Sequence, residues 1–152
     1  LVVSSGGAHL IPGFVPGRLA RLMPDGTIAW NQEINAVTPP VIGADGLIYV
    51  GTQAAPIDEN GAGAIEARDL QTGALRWSTP VEGLPTDLLV GDDGAVYAGT
   101  GSFSRGRVYA LDQATGGIRQ TVTNVPGARE IVLRGGLLFA SGTAVTAIPV
   151  AA

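Results

Sequence analysis

Cysteine is absent from this chain, and with it go disulfides, thiolate metal sites and cysteine nucleophiles; the compartment stays open. Lysine is absent too. All nine basic residues are arginines scattered along a chain of formal charge −4, so no basic stripe could neutralise a phosphate backbone and no nucleic acid is expected as a partner. Histidine occurs once, at His9, which excludes a His-rich metal site and leaves one candidate base. No serine lies in a G-x-S-x-G context and no paired carboxylates stand out, so His9 reads as an ordinary loop residue and no catalytic residue is expected. No apolar run approaches the ~18 residues of a membrane-spanning helix. The chain begins at Leu1 without a methionine or signal sequence, which reads as a mature product or a piece of something longer.

Against these absences, 45% apolar and 14% charged residues over 152 positions describe a globular sequence with a substantial core. Gly 23 and Pro 10 are high for a helical protein, and the best-formed short runs, residues 47–50, 95–98 and 108–111, are β-branched and aromatic, not 3.6-periodic. Almost no helix is expected.

Two interleaved repeats organise the chain. Residues 67–77 read A-R-D-L-Q-T-G-A-L-R-W; residues 20–30 read A-R-L-M-P-D-G-T-I-A-W, and residues 110–120 read A-L-D-Q-A-T-G-G-I-R-Q. In each, an alanine lies six residues before a glycine, and Trp30, Trp77 or Gln120 lies four residues after it. The second signal, A-D-G-L-I-Y-V-G-T at 44–52, is matched by D-D-G-A-V-Y-A-G-T at 92–100 and more loosely by R-G-G-L-L-F-A-S-G at 134–142. Both advance by 42 to 48 residues. A period in the forties with several short strands per unit is the signature of propeller blades. The expected fold is all-β: four-stranded antiparallel blades, about three and a half of them, forming one segment over 1–152 with blade parts at roughly 1–35, 36–82, 83–125 and 126–152. Residues 6–17, with two Pro and four Gly, are expected as a loop, as are 53–62 and 101–106.

The phrase A-x-D-x-x-T-G-x-x-x-W at Ala67, Asp69, Thr72, Gly73 and Trp77, preceded by D-G-L-I-Y-V-G-T, resembles the PQQ-like β-propeller repeat. That repeat occurs in quinoprotein dehydrogenases, in the outer-membrane assembly lipoprotein of the Bam complex, and in many envelope and kinase-linked domains. The resemblance implies that the outer-strand tryptophans, Trp30 and Trp77, dock on the neighbouring blade and that small residues leave room for them. It assigns a structural docking role to Ala67, Asp69 and Gly73 and to their counterparts Ala110, Asp112 and Gly116. Gln120 departs from the pattern, so weaker docking is expected there.

In a four-stranded blade the turns between strands one and two and between strands three and four share a face. These are short and regular here. The opposite face carries the variable connections, where binding usually resides on a repeat scaffold. Phe14, Phe103 and Arg105 are the candidate interaction residues of that face, with folding back over the blade edge as the alternative for each aromatic. Asp58 and Asn60 could offer oxygen ligands to a hard cation, and with Gly63 they fall at positions one, three and six of an EF-hand-like loop. Ala62 then occupies a ligand position, and a solvated loop is the expected reading.

The resemblance leaves three functional readings. The first is a non-enzymatic scaffold or protein-interaction module of the bacterial envelope, periplasmic or extracellular, without PQQ, Ca²⁺ or another cofactor. Its partner would be a protein, or the remainder of a longer propeller covering the open edges. The second is a segment of a PQQ-dependent quinoprotein dehydrogenase; such enzymes bind PQQ over a complete eight-bladed ring, commonly beneath a vicinal disulfide, and this chain has no Cys and fewer than half the blades. The third is a glycan-binding propeller, resting on Phe14, Phe103 and the two tryptophans.

Overall fold

Short β-branched and aromatic runs punctuated by Asp-Gly and Thr-Gly turns fold, in the computed structural model, into strands alone. The structure describes residues 1–5, 8–10, 13–53, 62–102, 105–125 and 128–150, and no helix occurs among them. The first sheet joins β1 (Val2–Ser5), β4 (Arg18–Leu22) and β5 (Ile28–Glu33) in the order β1-β4-β5. The second contains β6 (Val41–Ile42), β7 (Leu47–Gln53), β8 (Ala62–Asp69) and β9 (Leu75–Glu82), each paired with the next. The third repeats this with β10 (Pro85–Val90), β11 (Ala95–Ser102), β12 (Arg105–Asp112) and β13 (Ile118–Thr123), and the last holds β14 (Glu130–Arg134), β15 (Leu137–Ser141) and β16 (Val145–Pro149). Every pairing is antiparallel. These are propeller blades, two with four strands and two with three.

The blades stack face to face, and that explains the contiguous apolar runs of their second strands. On β7, Ile48 and Val50 join Leu19, Ile34 and Ala36 between the first two sheets, while Tyr49 points the other way into the next cluster with Ile65, Val81, Leu88 and Tyr109. On β11, Val96 and Ala98 face back into that second cluster, and Ala95 and Tyr97 face forward into a third with Leu138, Ala140 and Ile148. A strand buried on both faces needs apolar residues at consecutive positions, whereas the outer strands β5, β9 and β13 alternate because one face meets solvent.

Two expectations about loops are corrected. Within 6–17 the chain forms a hairpin of β2 (Ala8–Leu10) and β3 (Gly13–Val15), with His9 opposite Phe14. Pro16 does not prevent it, because it follows β3 and takes no part in the ladder. Of the stretch 101–106, Gly101, Ser102, Arg105 and Gly106 are in strands and not in a loop, since the β11–β12 ladder continues through Gly101↔Gly106 and Ser102↔Arg105; residues 103–104 lie outside the described set. Of the stretch 53–62, Gln53 ends β7 and Ala62 begins β8; residues 54–61 lie outside the described set.

Candidate functional site: the turn face, the irregular face and the spaces between blades

The D-x-x-T-G phrase is a self-contained turn. Asp69 Oδ1 accepts hydrogen bonds from the Gln71 and Thr72 N–H groups, both at 2.9 Å, and from Thr72 Oγ1 at 3.0 Å. Its Oδ2 receives Arg76 at 2.6 Å. Asp112 repeats the pattern with Ala114, Thr115 and Arg119. The arginine in each case, followed by the threonine and backbone donors, holds the carboxyl down at about 2, against an ordinary 3.8. A depressed folded-state value means that this stabilisation is complete above pH 3.8 and is lost as pH falls toward 2. Acid titration followed by circular dichroism should therefore show stability declining over that window. The double variant Asp69→Asn with Asp112→Asn should have a flatter acid limb; an unchanged slope would show that other carboxylates govern it.

Each turn supports a tryptophan from the preceding blade. Trp30 Nε1 donates to the Leu70 carbonyl at 3.1 Å, and its ring lies so close to Gly73 that a Cβ there would come within 2.9 Å. Trp77 Nε1 donates to the Gln113 carbonyl at 2.9 Å and covers Gly116. Both glycines have φ near +74°, which also favours glycine. Ala67 sits directly opposite Trp77 and Ala110 opposite Gln120, whereas Trp30 stands opposite Arg21 because the bulge of the first unit falls one residue differently. Trp77 is half-buried, not fully buried, since an outer strand keeps one face in solvent.

An Asp–Tyr pair goes with this arrangement and escaped the sequence reading. Asp45 Oδ1 accepts the Leu47 N–H, while Tyr49 OH donates to Asp45 Oδ2; Asp93, Ala95 and Tyr97 do the same. The Tyr49 ring lies 5.8 Å from that of Trp77, centroid to centroid, so the pair backs the docked indole. Burial first, and the acidic neighbour second, push Tyr97 up to about 12 and raise Tyr49 as well. The last unit has Gly135 and Phe139 at these positions. Both partners are gone together, which avoids stranding a desolvated carboxylate or hydroxyl. The signal that could have revealed the pair is this joint loss.

The third interface lacks a tryptophan. A space of about 360 Å³ opens there, with Tyr97, Ala110 and Gln120 on one side and Pro149 and Val150 on the other. Pro149 occupies the register of Asp69, because Ala147 pairs with Phe139 as Ala67 does with Tyr49, so the Asp–Thr turn is not rebuilt. Gln120→Trp should place an indole in this space and raise the thermal midpoint modestly, by filling volume. A drop in midpoint would show that the interface has been remodelled around the amide.

On the irregular face, Phe14 lies on β3 and Arg105 on β12, in strands and not in loops, while Phe103, Asp58 and Asn60 lie outside the described residues. His9 is on β2. Among the described residues, no cluster of three or more His, Cys, Asp or Glu could hold a metal ion. A cavity of about 450 Å³ lies between the first and second blades, flanked by the ends of β5, β7 and β9 and by β8. It contains Glu33, Asn35, Glu66 and Arg68, none of which the sequence reading singled out.

Residues 59–122 match the family model described as "Outer membrane protein assembly factor BamB". Among solved structures, the chain is similar to BamB from Moraxella catarrhalis, with a TM-score of 0.65 at 20% identity over 98% of this chain and 48% of that one. The chain thus spans about half the length of that relative, and the likeness is one of fold. No curated protein matches.

Proposed function

From a chain built of PQQ-like propeller repeats, we propose a non-enzymatic scaffold that engages protein in a bacterial envelope, on the periplasmic or extracellular side. The observation that carries the reading is a rigid stack of docked blades that ends in two unpaired sheet edges. Among the described residues, β1 has a partner only in β4, and β16 only in β15. Leu1, Val3 and Val145 are exposed along them, at 79%, 39% and 73%. Such edges are templates for strand pairing. Coverage of about half of a BamB chain fits a propeller completed by further blades or by another subunit. The name of the matched family, an outer-membrane assembly factor, supports the envelope setting.

Native mass measurement and sedimentation of the 152-residue chain test this. Self-association through the open edges is expected as concentration rises. A cooperatively folding monomer at high concentration would show that the chain closes alone, and the completion reading would fall. Added PQQ with Ca²⁺ should leave absorbance and melting unchanged; a bound-quinone spectrum with a thermal shift would move the assignment to the quinoprotein dehydrogenase reading.

A further inference from the structure

We infer that the cavity between the first and second blades is a binding site for an arginine side chain presented by a protein partner. This deepens the scaffold reading and rests on it. The repeat itself supplies the argument. With Ala67 and Ala110 in equivalent register, the residues flanking them are Glu66 and Arg68 in the second blade but Tyr109 and Leu111 in the third. All four point back toward the preceding blade. Tyr109 and Leu111 seal their interface, buried in a core cluster, with the tyrosine hydroxyl accepting the Glu82 N–H at 3.1 Å. Glu66 and Arg68 instead form a largely covered ion pair, 2.8 Å apart with side chains 16% and 13% exposed, in the wall of the open space. An ion pair in place of a sealed apolar contact is a weak stabiliser, so packing alone does not account for it.

The polar groups around that space are mostly acceptors. Arg68 is committed: Nε and Nη2 contact Glu66 Oε2, and Nη1 donates to the Gly73 carbonyl at 3.1 Å. The Glu33 carboxylate stands exposed at the mouth. Asn35 Oδ1 is buried with no hydrogen-bond partner, the single such side-chain atom among the described residues. An orphaned buried acceptor is costly and calls for a donor. With two carboxylates to one guanidinium, the site is net negative, and Pro16, Ile34 and Pro80 provide apolar wall. A guanidinium on an alkyl stem matches the charge and the wall: its planar donors suit the Glu33 carboxylate, a turn of the Asn35 amide would bring its unpartnered oxygen to them, and the methylenes lie along apolar surface.

The test is titration of N-acetyl-arginine methylamide into the 152-residue chain, read by amide chemical shifts, beside the neutral citrulline analogue of the same shape. Saturable shifts clustered at residues 33–35 and 62–68 are expected with arginine and not with citrulline. Glu33→Gln should weaken binding about threefold or more without changing the melting temperature. The double variant Glu66→Tyr with Arg68→Leu, which copies the sealed interface next door, should fold and lose the shifts. Equal response to citrulline, shifts retained in a folded double variant, or no shift in the native chain would each overturn the inference. A chain that binds the probe yet proves to be a closed monomer would keep the pocket and remove the scaffold reading, so the two fail separately.

Discussion

Trp77→Ala should lower stability by about 2–4 kcal/mol, toward the lower part of the range for truncating a packed tryptophan. The figure is moderated because the outer strand leaves one side of the ring wet. Three interactions go at once: the ring's cover over Gly116, the Nε1 donation to the Gln113 carbonyl at 2.9 Å, and the contact with the Tyr49 ring. For a domain of this size such a loss lowers the thermal midpoint by roughly 5–15 °C. Trp77→Phe keeps a smaller ring on the turn and gives up the indole hydrogen bond with part of the packed volume, and should cost about 1–3 kcal/mol, less than Trp77→Ala. The measurement is denaturant unfolding of both variants. A midpoint for Trp77→Ala equal to that of the native chain would show that the blade interface does not depend on the indole. It would also remove the basis for expecting Gln120→Trp to strengthen the third interface.

The blades could be read from sequence because the repeat writes each strand several times, so that Asp45-Gly46 and Asp93-Gly94 confirm one another as turns although neither dipeptide alone would suffice. Burial on both faces made residues 47–50 and 95–98 continuous apolar runs, and these stand out against the alternating outer strands. The hairpin of β2 and β3 was not legible, because Gly and Pro dominate its composition and nothing else in the chain repeats it. Phe14 and Arg105 read as loop residues in the sequence but lie in strands, since no local feature shows how far a ladder runs before it turns. The cavity was present in the sequence only as a contrast, E-A-R against Y-A-L around the two equivalent alanines. That contrast gains meaning once the topology shows that both flanking residues face the preceding blade. Asn35 gave no signal, because an unpaired amide oxygen is a property of packing alone.

Gly116→Ala should cost more than its small change in volume suggests, about 2–5 kcal/mol. Part is backbone strain: at φ +74° an L-residue sits in the left-handed region, at roughly 1–2 kcal/mol. The rest is collision, since the new Cβ would stand 2.6 Å from Cδ2 and Cε3 of Trp77 and 2.7 Å from Thr79 Oγ1. Gly46→Ala isolates the first part, because Gly46 has φ +78° with nothing within 4 Å of the added carbon. The difference between the two variants is therefore the steric component, and a double-mutant cycle tells how much of it belongs to the indole. In the Trp77→Ala background the alanine at 116 meets only Thr79, whose hydroxyl can rotate away at the loss of its bond to the Gly116 carbonyl. The cost of Gly116→Ala should then fall toward that of Gly46→Ala, giving a coupling of about 1–3 kcal/mol between residues on adjacent blades. Additive costs would mean that the indole does not rest on the turn in solution, and the docking geometry of the second and third blades would have to be abandoned.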